Sequence, residues 1–263
     1  MAEDVESWVY TFGAVAVVSL ISLVGAAAGW RWLRSHTAIL GLVAVAAGAL
    51  LGDAFLHLLP EAAELWGGFP LELTVLVLGG FLAFFLLEVF LRAQHAHGEA
   101  LESDHGHTHG DAHGKVAPFG WMNLIGDGVH NFLDGAVLAA AFTVDLKLGL
   151  ATTVAVVLHE IPQELGDFAV LLRSGMSRRK ALLWNLGTAL TSVAGAALFF
   201  LLPFPLETVE RWAIPLTAGG FLYIAAADLV PELHHHAGDR HAKGIVIGVL
   251  GGIAAMALLL LLE

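Results

Sequence analysis

The chain has 263 residues, of which 57% are hydrophobic and 14% charged, where an ordinary soluble domain carries about 25% charge. Its formal net charge is −12, and its 12 Lys and Arg are scattered along the sequence, which excludes the basic surface of a nucleic-acid partner. Cysteine is absent, so disulfides and thiolate metal sites are excluded, and any metal must be held by His, Asp, Glu, Asn or Gln.

Apolar runs near the ~20 residues that cross a bilayer recur along the whole chain, and mean hydropathy is +0.77. The expected fold is all-α: a polytopic membrane helical bundle forming one domain over residues 1–263. Eight transmembrane helices are predicted, at roughly 9–30, 37–59, 71–92, 118–142, 148–172, 180–202, 212–232 and 244–262. Strands do not fit, because the runs are too long and lack the period-2 alternation of a membrane barrel. Met1 to Trp8 is acidic and lacks the basic stretch of a secretory signal, so the first run is expected to remain as a helix. Arg31, Arg34, Arg92, Lys115, Arg173, Arg178, Arg179, Lys180, Arg240 and Lys243 fall on one side of this arrangement, and only Lys147 and Arg211 on the other. The excess of positive charge in cytoplasmic loops then places both termini outside.

In chain order, span 1 has Gly25 and Gly29, and span 8 has Gly244, Gly248 and Gly252. Small residues at this spacing let helix backbones approach closely. Packing within one subunit is the expected use, with a homodimer face as the other. Span 2 carries Asp53 and His57 on one helical face, which suggests a lined path, followed by Pro60 and Glu61. Glu88 in span 3 stands near Arg92 at the interface and is given no role. The longest connection, residues 93–117, holds His95, His97, His105, His107, His109 and His113 among Gly, Ala and acidic residues. That composition cannot build a core, so disorder is expected, and a His-rich tract reads as metal capture. His234, His235, His236 and His241 repeat the theme before span 8. Span 6 offers Asn185, Thr188, Thr191 and Ser192 but no acid. Span 7 ends with Asp228 and Glu232 on one face and with Pro231 between them, at the end of a path or at the interface.

Spans 4 and 5 carry the chemistry. A charge at a helix centre in lipid costs about 2.5–3.5 kcal/mol on the mild scale, yet several cluster here. Asp127, Asn131 and Asp134 share one face of span 4, and His130 is a helical turn from Asp134. Gly126, Gly128 and Gly135 thin the helix beside them. On span 5, His159 and Gln163 share a face adjoined by Glu160, Glu164 and Asp167. Pro162 lacks an N–H and should free the carbonyl of Leu158, a device that recurs in ion sites of broken membrane helices. His130, Asn131, Asp134, His159, Glu160, Gln163 and Glu164 can therefore converge as a ligand set for a borderline divalent cation. Asp53, His57, Asp127, Asp167, Asp228 and Glu232 would line the path to and from it.

The segment from Gly120 to Gly135, GWMNLIGDGVHNFLDG, and the segment from His159 to Leu172, HEIPQELGDFAVLL, resemble the fourth and fifth helices of the ZIP family of divalent-metal transporters, its histidine-rich branch most. The resemblance implies a helical-bundle transporter that moves Zn²⁺, or Cd²⁺, Fe²⁺ or Mn²⁺, towards the cytoplasm as substrate rather than cofactor. It implies an integral protein of the plasma membrane or a bacterial inner membrane. His130, Asn131 and Asp134 from span 4, and His159, Glu160 and Gln163 from span 5, would serve as metal or path residues, with Glu164 a weaker candidate. Two departures stand out. Many members have His where this chain has Gln163, a poorer zinc ligand. Some place a Glu for a second metal on the sixth helix, where this chain has only Thr188.

The expected mechanism is alternating access, with the ion entering from outside, binding between spans 4 and 5, and leaving past Asp53, His57 or the span 7 acids. Two other functions compete. An intramembrane zinc hydrolase is suggested by His159-Glu160, the start of an HExxH helix, but Gln163 replaces its second His. A metal sensor or buffer would use the His-rich loops.

Overall fold

The computed structural model describes the backbone of residues 2–32, 35–102, 116–202, 205–236 and 241–261, and among these the side chains other than those of 2–5, 22–32, 94–102 and 206. The described residues are almost wholly helical: α1 (Ala2–Trp32), α2 (His36–Asp53), α3 (Leu59–Trp66), α4 (Leu71–Glu102), α5 (Pro118–Val144), α6 (Leu146–Arg173), α7 (Arg178–Ala189), α8 (Thr191–Leu201), α9 (Leu206–Tyr223), α10 (Val230–His235) and α11 (Ala242–Leu259). Three pairs are joined nearly end to end: α2 to α3, α7 to α8 and α9 to α10. Among the described residues, five stretches are long and apolar enough to cross a membrane: His36–Trp66, Leu71–Ala93, Arg178–Leu201, Glu207–His235 and Ala242–Leu259. The helices that carry the polar clusters, α5 and α6, are not among the five.

The joins have identifiable causes. Between α2 and α3, and again between α9 and α10, the chain makes a π-helical turn, at Ala54–Leu58 and Ile224–Leu229. Each turn runs into a proline, Pro60 or Pro231. Proline cannot donate to the preceding turn, and its ring crowds the carbonyl four residues back. Widening that turn relieves the crowding. The N–H of Leu59 consequently reaches back to the Ala54 carbonyl, and that of Val230 to Ala225. Sequence reasoning places the disturbance at Pro231 and leaves out the turn before Pro60. Pro162, in contrast, is accommodated inside a continuous α6. The predicted sixth span divides at Leu190, where the Thr191 hydroxyl bonds to the Gly128 and Thr188 carbonyls at 2.6 and 2.7 Å. Competition of such hydroxyls for backbone carbonyls bends helices.

Other ends are set by single residues. Asp145 alone separates α5 from α6, and its carboxylate accepts from the N–H groups of Lys147 and Leu148 at 2.7 and 2.8 Å, an N-cap. Gly67, at φ 69°, ends α3 in the left-handed conformation that glycine adopts without strain. Helix α4 runs ten residues past its predicted end at residue 92, through good helix formers such as Ala93, Gln94, Ala96, Glu99 and Ala100.

The main core lies between α2, α5, α6 and α9, where Leu40, Met122, Phe168, Leu171, Phe221 and Ile224 are fully buried. Helix α11 packs on α2, and α4 on α9. A Cβ on Gly248 would lie 2.7 Å from that of Ala44, and one on Gly252 would lie 2.6 Å from the Ala49 nitrogen. Gly248 and Gly252 of span 8 are thus taken up within the subunit, whereas Gly244 faces open space. Gly25 and Gly29 fall where side-chain surroundings lie outside the described residues. Gly135 likewise abuts the Ser192 backbone of α8, and Gly126 abuts Ile224, so these glycines serve helix packing rather than the polar groups beside them.

Candidate metal centre

Short connections set α5 and α6 antiparallel, and their polar faces meet. His130 and Asp134 project from α5, and His159 and Glu160 from α6. The His159 Nε2 lies 3.1 Å from Asp134 Oδ2, and the His130 Nε2 lies 3.8 Å from the same oxygen. Glu160 Oε1 is 4.0 Å from His159 Nε2. The two rings meet edge to face with centroids 5.4 Å apart. Among the described residues these four side chains form the one group of His and acids able to hold a metal ion, with one ligand atom of each within 4.8 Å of the others. Ligands at about 2.0–2.2 Å from a tetrahedral Zn²⁺ stand roughly 3.3 Å from one another. A shift of a few tenths of an ångström to about an ångström would bring the set onto one ion. His130 and Glu160 are buried, whereas Asp134 and His159 keep some exposure.

That exposure comes from a cavity of about 450 Å³ lined by Asp53, His57, Glu61, Glu64, His130, Asp134, His159 and Glu210 together with apolar side chains. Glu61 and Glu64 on α3 are exposed at its rim, and Asp53 and His130 are buried at its floor. The π-helical turn between Asp53 and His57 leaves both on this wall. The His57 ring is held by the Met256 carbonyl of α11 at 3.0 Å. Asp53 and His57 therefore share this wall with Glu61, and Asp53 reaches the floor beside His130. Glu61, Glu64 and Glu210 were given no role by sequence reasoning. The signal for the first two was the run PEAAE after the span; Glu210 is distant in sequence and only the packing of α9 brings it near.

Beyond the floor the polar column continues in buried form. Asn131 donates to Asp127 Oδ1 at 2.7 Å, and Asn123 donates to Asp167 Oδ1 at 2.9 Å. Gln163 and Asp167 line a small cavity with Asp53, Ala46, Ala49 and Leu50. Gly166 lets α2 come this close, since a Cβ there would stand 2.7 Å from that of Ala46. Asp53 Oδ2, Asp127 Oδ2, Asp167 Oδ2, Asp228 Oδ2 and His130 Nε2 are buried without a hydrogen bond among the described residues. Bare carboxylate oxygens are costly in an interior unless a partner charge offsets them, and a divalent cation supplies that charge. The donor set thus fits a metal ion.

Other expected residues fall elsewhere. Glu164 faces α7, where the Asn185 amide donates to its carboxylate, so the structure does not bring it into the four-residue group. Thr188 bonds to the Asn185 carbonyl of its own helix at 2.8 Å. Asp228 lies in the π-helical turn after α9, and Glu232 on α10 pairs with Arg173. His234 and His235 are exposed on α10, and His241 precedes α11. The side chains of His95 and His97, and all of His105, His107, His109 and His113, lie outside the described residues. Glu88, given no role from sequence, is buried; the Tyr223 hydroxyl donates to its carboxylate, which also pairs with Arg92.

The family model described as ZIP Zinc transporter matches residues 5–118 and 92–260. The mouse protein named zinc transporter SLC39A7 is 32% identical over 348 aligned residues, covering 99% of this chain and 71% of its own length. The Pongo abelii protein named zinc transporter ZIP13 is 35% identical over 230 residues, covering 82% of this chain and 65% of its own. Human zinc transporter ZIP6 is 47% identical over 126 residues, 48% of this chain and 17% of that protein. These relatives are transporters and not enzymes, so the hydrolase reading falls. A match over nearly the whole chain, on a bundle whose one described His and carboxylate group sits at the floor of a polar cavity, identifies the chain as an integral membrane protein that belongs to the ZIP zinc transporter family.

Proposed function

We propose that this protein carries divalent transition-metal ions, Zn²⁺ first among them, towards the cytoplasm through the site formed by His130, Asp134, His159 and Glu160. The observation that carries this reading is the convergence of two imidazoles and two carboxylates on one point at the inner end of the cavity. Imidazole nitrogen with carboxylate oxygen suits Zn²⁺, Cd²⁺, Fe²⁺ and Mn²⁺. On this reading the excess of Lys and Arg on one side sets the termini and the cavity mouth outside, and the eight rods among the described residues, taking each joined pair as one, would be its eight crossings. Asp53 and His57 then receive the ion from outside. Asn131 with Asp127, and Gln163 with Asp167, receive it beyond the centre, and Asp228 and Glu232 lie on the way out. The relatives' names speak of zinc, and Gln163, where many family members have His, leaves the inner part of this site rich in oxygen donors.

A path of this kind must bind tightly enough to select and weakly enough to release. Successive His and carboxylate ligands meet that need. The test is metal uptake into proteoliposomes holding the full chain, with Zn²⁺, Cd²⁺, Fe²⁺ and Mn²⁺ supplied in turn, beside the His159→Ala variant. Saturable uptake that is lost in the variant supports the site, and its rank order names the substrate. Binding of metal without uptake in either protein would leave a sensor or buffer as the function.

A further inference from the structure

The inner half of the polar column runs along the seam between α2 and α6. Ala46, Ala49, Leu50 and Asp53 of α2 meet Gln163 and Asp167 of α6 around the small cavity, and Gly166 brings the two helices close there. Further along, Leu40 on α2 and Phe168 and Leu171 on α6 are fully buried. The seam ends at His36, the first residue of α2, and Arg173, the last of α6. The Arg173 side chain folds across this end. Its Nε and Nη2 lie 2.6 and 2.5 Å from Glu232 Oε1 on α10, and its Nη1 lies 2.9 Å from His36 Nε2. The same Nη2 is 2.6 and 3.2 Å from the two ring nitrogens of His236, so the guanidinium lies over the face of that imidazole. The ring is fixed in turn by the Glu232 carbonyl, 3.0 Å from its Nδ1. Helix α10 packs on α2, so this one side chain ties α6 to both.

We propose that Arg173 is a latch on the inner end of the path: its pairing with Glu232, backed by His36 and His236, holds the seam between α2 and α6 shut, and it must let go for an ion to leave. Its role in release rests on the transport reading, which puts Glu232 on the way out. An ion pair in open water adds little, but the Arg173 and Glu232 side chains are only 18% and 25% exposed. A planar guanidinium can serve a carboxylate and lie over a ring at once, which an ammonium cannot. A divalent cation arriving from Asp167 brings two positive charges to a carboxylate that already holds one. It competes for Glu232 and repels the guanidinium, so the arrival of the ion loosens the tie that confines it. While the latch is shut, the same guanidinium opposes the entry of cations from that end. Arg173 is thus a positioning residue, acting through the place of α6 against α2.

The chain has no cysteine, so Leu50→Cys gives it a single thiol, beside Gln163 and Asp167. The full chain carrying this thiol is placed in membrane vesicles of each orientation and treated with a membrane-impermeant maleimide. From the side where Arg173 lies, labelling should be slow, and severalfold faster in both Arg173→Gln and Glu232→Gln, because loss of either partner shifts the population towards an open seam. From the side of the cavity mouth the rate should not rise. Arg173→Lys keeps a charge opposite Glu232 and should fall between. An unchanged rate from the Arg173 side in either Gln variant overturns the proposal. So does a rise from both sides, which is what a general loosening of the fold would give. If Arg173→Gln does not reach the membrane, Glu232→Gln and Arg173→Lys carry the test by the same criteria. Zn²⁺ uptake by the unaltered chain is measured beside these. Uptake with unchanged labelling removes the latch alone, whereas a one-sided rise without uptake keeps the latch and removes the transport reading.

Discussion

At the scale of single residues, Asp134 is the hinge of the site, because one of its oxygens faces both His159 and His130. Asp134→Asn keeps the shape but removes the charge that both rings share. It is expected to lower Zn²⁺ uptake by about tenfold or more, in the range seen when a metal ligand's partner is lost, with the bundle still monodisperse. Uptake within twofold of the unaltered protein would show that Asp134 does not touch the ion. Glu164 is the contrasting case. Its carboxylate accepts from Asn185, so Asn185→Ala should destabilise the protein by about 1–3 kcal/mol, read as a lower melting temperature, while Co²⁺ binding at the centre stays unchanged. A loss of binding without a loss of stability would return Glu164 to the ligand set.

At the scale of the element, the seam between α2 and α11 depends on which face of α11 carries each glycine. Gly251 faces open space, whereas a Cβ on Gly252 would press into the α2 backbone. Alanine is the better helix former by roughly 1 kcal/mol. Gly251→Ala should therefore hold or raise thermal stability, and Gly252→Ala should lower it. Equal effects in a melting series would mean that α11 does not sit on α2 as described. The π-helical turns before Pro60 and Pro231 are the other element-scale device. They keep each rod continuous through a proline and set Asp53, His57 and Asp228 at the edges of widened turns, where the helical face differs from that of an ordinary turn.

At the scale of the whole molecule, Glu61, Glu64 and Glu210 gather around a mouth from which buried Asp53 and half-buried Asp134 are reached. Acidic walls of low dielectric concentrate cations. Replacing the three by Gln should raise the KM for Zn²⁺ severalfold and flatten its dependence on ionic strength, while the maximal rate changes less than twofold. An unchanged KM would show that ions do not arrive by this cavity. Removing residues 95–113 separates transporter from buffer: uptake in proteoliposomes should persist, while the metal bound at equilibrium falls. Loss of uptake would make that segment part of the path.

The sequence by itself determined the class of protein and the ligand types. Hydrophobic run lengths forced a helical bundle, absence of cysteine restricted the metal donors, and the spacing of His130 and Asp134 on one helix needed only helical geometry to place them together. The adjacent His159 and Glu160 were legible as costly groups in an apolar run. Only the tertiary structure decided which of the candidates meet. Glu164 sits one helical turn from Glu160 yet turns to Asn185, because the face a side chain presents depends on which neighbour packs there. The pairing of Arg173 with His36 and His236 joins residues 137 and 63 positions apart, a distance over which periodicity carries no information. Local pattern fixes the face of one helix; the contact between two faces is a property of the packed bundle, where the volumes of Ala46, Gly166, Gly248 and Gly252 set how closely the helices approach.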